Sequence, residues 1–239
     1  MPQSSRKKAV ITGATKGIGK AIAIRFASEG FDLAICARTK KDIDQLEKEL
    51  QKNFPSIDVI AVACDLSKKK EVISFAKTIQ SKWKSISVLI NNAGIYLSGQ
   101  VHSEEEGRLE YLLNTNLMSA YHLTRSLIKG MKKNKHGHIF NNCSIASIHS
   151  YPDGGSYSIA KHALLGFSRA LRVELMDHNI RVTSIIAGAT WTDSWKGTSV
   201  PEKRMMPAED VAEMIWSSYK LSDRSVIEEI IMRPMKGDL

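Results

Sequence analysis

Along these 239 residues, short runs rich in Val, Ile and Ala alternate with longer stretches of helical periodicity. That alternation narrows the fold more than any other feature of the chain. The strand-like runs are 8–12 (KAVIT), 31–37 (FDLAICA), 57–63 (IDVIAVA), 86–90 (ISVLI), 138–143 (HIFNNC), 180–186 (IRVTSII) and 226–232 (VIEEIIM). Most lack a clean in–out alternation, which suits strands buried on both faces. Helical stretches are expected at 17–29, 40–53, 67–82, 104–131, 157–177 and 208–219. Strand and helix in turn predict an α/β protein, with a parallel sheet covered by helices on both sides. No internal repeat, low-complexity segment or polar linker interrupts the pattern, so one domain over residues 1–239 is expected.

The first strand runs directly into TGATKGIG, residues 12–19, and then into a helix. Glycines at such a junction let the backbone bend sharply and let a pyrophosphate approach the main chain. The helix N-terminus then offers free N–H groups and the positive end of its dipole. Any tight strand–helix junction wants glycine, but this one has both the strand before it and the helix after it. A dinucleotide is therefore expected on Gly13, Thr15, Lys16, Gly17, Ile18 and Gly19. The second strand ends in Ala37-Arg38-Thr39, with no carboxylate to accept hydrogen bonds from a ribose 2′-hydroxyl. Arg38 can pair with a 2′-phosphate, and Lys16 is a second cation, so NADP(H) is the expected cofactor. Asp65 and Leu66 end the third strand, where the aspartate can meet an adenine amino group. Asn92, Ala93 and Gly94 end the fourth and can line the same groove.

Downstream stand NNAG (91–94), NTNL (114–117), Ser144 thirteen residues before Tyr157, and YSIAK (157–161), in that order. Each alone is ordinary loop or helix chemistry. Together with TGATKGIG the set resembles the short-chain dehydrogenase/reductase family over essentially the whole chain. The resemblance implies a Rossmann-type, doubly wound, seven-stranded parallel sheet. It also implies a catalytic set of Asn116, Ser144, Tyr157 and Lys161. Physical chemistry agrees with the YSIAK spacing: residues at i and i+4 share a helix face, and an ammonium beside a phenol favours the phenolate. Tyr157 is then a general acid for reduction and a base for oxidation. Ser144 would donate a hydrogen bond to the carbonyl oxygen, where negative charge develops. From the resemblance alone come two further roles: Lys161 on the nicotinamide ribose, and Asn116 on a water chain that returns the proton.

The chain departs from the family after its sixth strand. Where members usually carry Pro-Gly and then a threonine, residues 187–192 read AGATWT. The proline is missing, but Gly188 and Thr192 keep their places, and Thr192 is carried over as a contact to the nicotinamide. Residues 189–207 are the expected substrate lid. Its Trp191 and Trp195 either cap a flat substrate or pack the lid onto the body. The facing wall should be 145–155, with His149 and Tyr151 as substrate contacts. The tail VIEEIIMRPMKGDL and the lid's Trp195-Lys196-Gly197 resemble sepiapterin-reductase-like members. That tilts the substrate toward a pterin-like or small dicarbonyl compound. Family members usually pair through their fourth and fifth helices, so a homodimer or homotetramer is expected.

Composition excludes other classes. The three cysteines, Cys36, Cys64 and Cys143, form no CxxC and read as buried free thiols. His136 and His138 are expected on the surface, and no histidine spacing suggests a metal site. The net charge of +9 includes runs at Lys68–Lys70 and at Lys132, Lys133 and Lys135. No basic run is interleaved with aromatics, so a solvated basic face is expected and not a nucleic-acid site. No apolar run reaches the ~18 residues of a membrane span. The basic start, MPQSSRKK, leads straight into a strand, which leaves no signal-peptide core, so a cytoplasmic protein is expected. Three functions fit the motifs. The first is NADPH-dependent reduction of a small carbonyl compound. The second is reduction of a 3-oxoacyl-acyl-carrier-protein, whose acidic partner would dock on Lys132, Lys133, Lys135 and Arg172. The third is a catalytically silent NADP(H) sensor.

Overall fold

The computed structural model describes residues 6–195 and 197–238. Each apolar run forms a strand: β1 (Lys8–Thr12), β2 (Asp32–Ala37), β3 (Val59–Ala63), β4 (Val88–Asn91), β5 (Gly137–Asn142), β6 (Ile180–Ala187) and β7 (Glu229–Met232). They lie in one parallel sheet, ordered β3-β2-β1-β4-β5-β6-β7. The chain builds outward from β1 to β3, then returns to the other side of β1 with β4. A crevice therefore opens at the carboxyl ends of β1 and β4, where ligands bind in open sheets of this kind.

The helices are α1 (Gly17–Ser28), α2 (Lys40–Asn53), α3 (Lys69–Lys82), α4 (Arg108–Leu113), α5 (Ser119–Asn134), α6 (Gly155–Leu175) and α7 (Ala208–Lys220). On one face α1, α2 and α7 enclose Phe26, Phe31, Leu46 and Trp216. Phe26 and Phe31 meet Trp216 edge-on at 5.3 and 5.9 Å between ring centres. On the other face α3, α5 and α6 cover Phe75, Leu123, Leu127 and Leu171. A fully buried side chain of this size contributes about 1.5–3 kcal/mol, so the two layers hold the helices against both faces of the sheet.

The structure corrects several sequence-based expectations. The central strands β2 and β5 are buried along their length, but β3 and β7 are edge strands with partly exposed faces. The helix expected at 104–131 begins only at Arg108, after Gly107 in a left-handed turn (φ +83°). It is then interrupted by a π-helical turn, Asn114–Met118. His138 is not at the surface: it is fully buried on β5, stacked on Phe140 at 3.9 Å. Cys36, Cys64 and Cys143 are free and buried, and burial pushes the Cys143 thiol up to about 11. Among the described residues no helix is long and apolar enough to cross a membrane. Lys196 of Trp195-Lys196-Gly197 and the first five residues of the basic N-terminal segment lie outside the described residues.

Candidate active site

The carboxyl ends of β1, β4 and β5 are tied together by a line of hydrogen bonds. The Thr12 hydroxyl accepts the N–H groups of Asn92 and Ala93, each at 3.0 Å. The Asn92 amide donates to the carbonyls of Thr12 (2.9 Å) and Gly13 (3.2 Å). Asn142, the last residue of β5, donates its amide to Asn92 Oδ1 at 2.9 Å, and its carbonyl accepts Lys161 Nζ at 2.8 Å. The line thus runs from the glycine turn to the lysine of YSIAK. Gly13 and Gly17 take left-handed conformations (φ +64° and +49°) that favour glycine. Thr15 and Lys16 lie in the same turn, Ile18 follows Gly17 into the first turn of α1, and Gly19 there sits so close to the bend that a Cβ on it would overlap the Gly13 carbonyl.

Tyr157 and Lys161 occupy successive turns of α6, with Lys161 Nζ 5.7 Å from the centre of the phenol ring. Lys161 is only 4 % exposed, and no carboxylate among the described residues pairs with it. A buried ammonium held by one carbonyl keeps two N–H groups to offer. Beside it, a Cβ on Gly94 would lie 2.6 Å from Asn116 Oδ1 and 3.3 Å from Lys161 Nζ. Glycine therefore leaves a cradle between the two side chains that any other residue would fill. Asn116 sits in the π-helical turn; its Oδ1 accepts Ile95 N–H at 3.0 Å and its Nδ2 donates to Ile95 and Leu112 carbonyls. Single π turns inside helices recur at functional sites, and here the turn swings Asn116 under the loop that follows β4. Ser144 ends the β5 loop and caps the short helical turn Ile145–Ser147, accepting Ala146 N–H at 3.1 Å.

The other sequence candidates surround this centre less tightly. Arg38 stands exposed just past β2, and no carboxylate among the described residues pairs with it. Lys16 forms an ion pair at 3.1 Å with Asp193, in the segment after β6. Asp65 accepts Ser67 N–H and hydroxyl at 3.1 and 2.8 Å, beside Leu66, which is buried. Burial pushes the Asp65 carboxyl up, but the Ser67 hydrogen bonds and the Lys68 ammonium outweigh it and hold it below the usual carboxylate range. Gly188 N–H is bonded to Met232 O at 2.8 Å, which fixes the start of the 189–207 segment to β7. Thr192 lies over the glycine turn: a Cβ on Gly17 would come within 2.6 Å of its methyl group. Trp195 is half-buried, and Trp191 lines a cleft with Pro201, Lys203 and Met205 that touches neither Ser144 nor Tyr157. His149 is exposed, whereas the Tyr151 phenol is pushed up by partial burial and by the nearby phenols of Tyr157 and Tyr96.

Two residues with no signal in the sequence belong to this surface. Tyr96 packs edge-on against Tyr157 at 5.1 Å, and the Asn142 carbonyl anchors Lys161. Only the motif NNAG two residues earlier could have directed attention to Tyr96. The basic group Lys132, Lys133 and Lys135 ends α5 just before β5 begins, and Arg172 lies near the end of α6, paired with Glu228. Both helix ends lie at the amino edge of the parallel sheet, opposite Tyr157.

The sequence profile described as short chain dehydrogenase matches residues 7–203. A sepiapterin reductase from Chlorobaculum tepidum is 32 % identical over 238 residues, covering 96 % of this chain and 97 % of that one. An alcohol dehydrogenase from Thermococcus sibiricus, solved with 5-hydroxy-NADP, superposes with a TM-score of 0.88 at 26 % identity over 97 % of both chains. The L-sorbose reductase of Gluconobacter frateurii, solved with NADPH and L-sorbose, superposes at 0.89 with 27 % identity over 96 % of both.

Proposed function

The chain belongs to the short-chain dehydrogenase/reductase family of oxidoreductases, and on that premise we propose that it reduces a small ketone, pterin-like or dicarbonyl, to the alcohol with NADPH. The observation that carries the reading is the line of hydrogen bonds from the glycine turn through Asn92 and Asn142 to a buried Lys161 beside Tyr157. It joins a dinucleotide cradle to a proton donor at one edge of the sheet. The choice of NADPH is supported by exposed Arg38, by Lys16, and by the NADPH and 5-hydroxy-NADP held by the similar solved structures. The choice of substrate is supported by the sepiapterin reductase relative and by the phenols of Tyr96 and Tyr151 beside Tyr157.

When bound, NADPH supplies a hydride to the carbonyl carbon. Tyr157 gives its phenolic proton to the carbonyl oxygen, and the Lys161 ammonium stabilises the phenolate left behind. Ser144 donates a hydrogen bond to the same oxygen as it gains negative charge. The two free N–H groups of Lys161 would hold the ribose hydroxyls next to the nicotinamide. Asn116 keeps one lone pair of Oδ1 for a water that returns the proton. The glycine turn would hold the pyrophosphate, and Thr192, above Gly17, would contact the nicotinamide end. An acyl-carrier-protein substrate is disfavoured, because the basic residues that would dock the carrier lie at the far edge of the sheet.

The test is oxidation of NADPH and NADH, side by side, against sepiapterin, a vicinal diketone and an acetoacetyl thioester. Turnover with NADPH on sepiapterin or the diketone is expected. Tyr157→Phe should lower kcat by about 10²-fold or more, the usual scale for a positioned proton donor. A Phe variant with native turnover overturns the mechanism. NADPH binding with no turnover on any ketone would instead favour a sensor.

A further inference from the structure

We propose that Glu104 is the positioning residue for Tyr157: its carboxylate caps the first turn of α6 and fixes where the phenol stands. The proposal rests on the reading of Tyr157 as the proton donor.

The first N–H groups of any helix have no partner within it. In α6 the preceding residue is Gly154, which has no side chain with which to cap them. Glu104, 52 residues earlier in the chain, takes that role. Its Oε1 accepts Ser156 N–H at 3.0 Å, and its Oε2 accepts the Ser156 hydroxyl. A carboxylate at this end of a helix also faces the positive pole of the dipole. The fit is close, because a Cβ on Gly155 would overlap both Glu104 Oε1 and the Gly99 carbonyl. The Ser156 hydrogen bonds hold the Glu104 carboxyl below its usual range, so it stays ionised at neutral pH.

Glu104 closes a larger clasp between the loop after β4 and the loop before α6. Gly99 N–H donates to Asp153 O at 3.0 Å, the Tyr96 hydroxyl to the same carbonyl at 3.3 Å, and Gln100 Nε2 to Asp153 Oδ1 at 3.1 Å. Arg108 holds the first loop by a 2.8 Å bond to Ser98 O. Tyr157 follows Ser156 directly, and its ring lies edge-on to Tyr96 of the clasped loop. Lys161 is held differently, by Asn142 at the end of β5. The clasp therefore acts on the proton donor and leaves the cofactor contacts alone, which a general loss of folding would not do.

Glu104→Ala and Glu104→Gln are compared with the native chain, using the panel ketone that the native chain reduces fastest. In Glu104→Ala, kcat should fall at least tenfold while the Kd for NADPH stays within about twofold. With NADPH bound, backbone amides 155–158 should exchange hydrogen at least tenfold faster. Glu104→Gln, which can still accept from Ser156 N–H, should recover part of both. Unchanged kcat, unchanged exchange, or a kcat loss matched by lost NADPH affinity would overturn the proposal. Tyr157→Phe measured in parallel separates the two failures. A fully active Phe variant overturns the reading of Tyr157 itself, whereas a silenced Phe variant beside a fully active Glu104→Ala overturns only the clasp. If the native chain reduces no panel ketone, the exchange measurement alone decides whether Glu104 holds the helix.

Discussion

Lys161 shows what a single residue gives up for a site. Removing an ammonium from water costs several kcal/mol, and one carbonyl at 2.8 Å, with no carboxylate among the described residues paired to it, repays only part of that. A stability argument alone would place a methionine there. The charge makes sense if it is used, and the Gly94 cradle beside it is where a ligand can use it. Arg38 is the opposite case, an exposed cation whose removal costs the fold little. A hydrogen-bonded pair with a charged group is worth about 1.5–3 kcal/mol, roughly tenfold to a hundredfold in affinity. Arg38→Ala should therefore raise the KM for NADPH by that factor and leave the KM for NADH nearly unchanged. Steady-state kinetics with both cofactors check this, and an unaltered preference for NADPH would remove Arg38 from the phosphate site.

The elements were legible in the chain to different depths, and for physical reasons. β2 read clearly because burial on both faces favours an apolar run, here Leu33–Ala37, whereas β5 (GHIFNN) buries His138, Asn141 and Asn142 beside Ile139 and Phe140, and its histidine read as a surface residue. The motif residues read clearly because their spacing is local: Tyr157 and Lys161 need only one helical turn to meet. The π turn at Asn114–Met118 had no such signal, since it answers to Asn116 reaching Ile95, a contact 21 residues away. Glu104 and Tyr96 were invisible for the same reason: their partners Ser156 and Tyr157 lie more than fifty residues on in the chain, in α6, and SEEEGRLE reads as the start of a helix. The start of α1 can be tested as an element. A Cβ at Gly19 would overlap the Gly13 carbonyl and lie 2.5 Å from Asn92 Nδ2, on the very bonds that join β1 to β4. Gly19→Ala should cost about 1–3 kcal/mol of stability, as overpacking does, and should weaken NADPH binding. Gly166→Ala, on α6 with no atom near its Cβ, should be neutral or stabilising by up to about 1 kcal/mol. Urea unfolding with NADPH titration compares them, and a Gly19→Ala chain as stable as Gly166→Ala would mean the turn has room to spare.

For the molecule as a whole, one buried residue makes folding sensitive to mild acid. His138 is fully buried near the amino end of β5, an interior strand, with Nε2 2.7 Å from the Thr183 hydroxyl. That hydroxyl donates to Ile227 O at 2.6 Å, so it can only accept from Nε2–H. The tautomer follows: Nε2 carries the proton, and Nδ1 is a buried acceptor with no hydrogen-bond partner among the described residues. Protonating Nδ1 would place a charge in the core with nothing to receive it. Burial accordingly holds the imidazole well below its usual pKa, and the nearby charges of Arg181 and His136 lower it further. The sign is then fixed. Above the unfolded pKa of about 6.5 both states are neutral and the stability is complete. As pH falls through that value the unfolded chain binds a proton that the folded chain refuses, so stability drops. The limiting slope from this residue is about 1.4 kcal/mol per pH unit. His138→Gln keeps a donor for Thr183 and removes the titration. It should be less stable than the native chain near neutral pH, yet lose stability more slowly between about pH 7 and about pH 5. Urea midpoints across that range measure the difference, and parallel slopes for the two chains would show that acid unfolds the sheet through other groups.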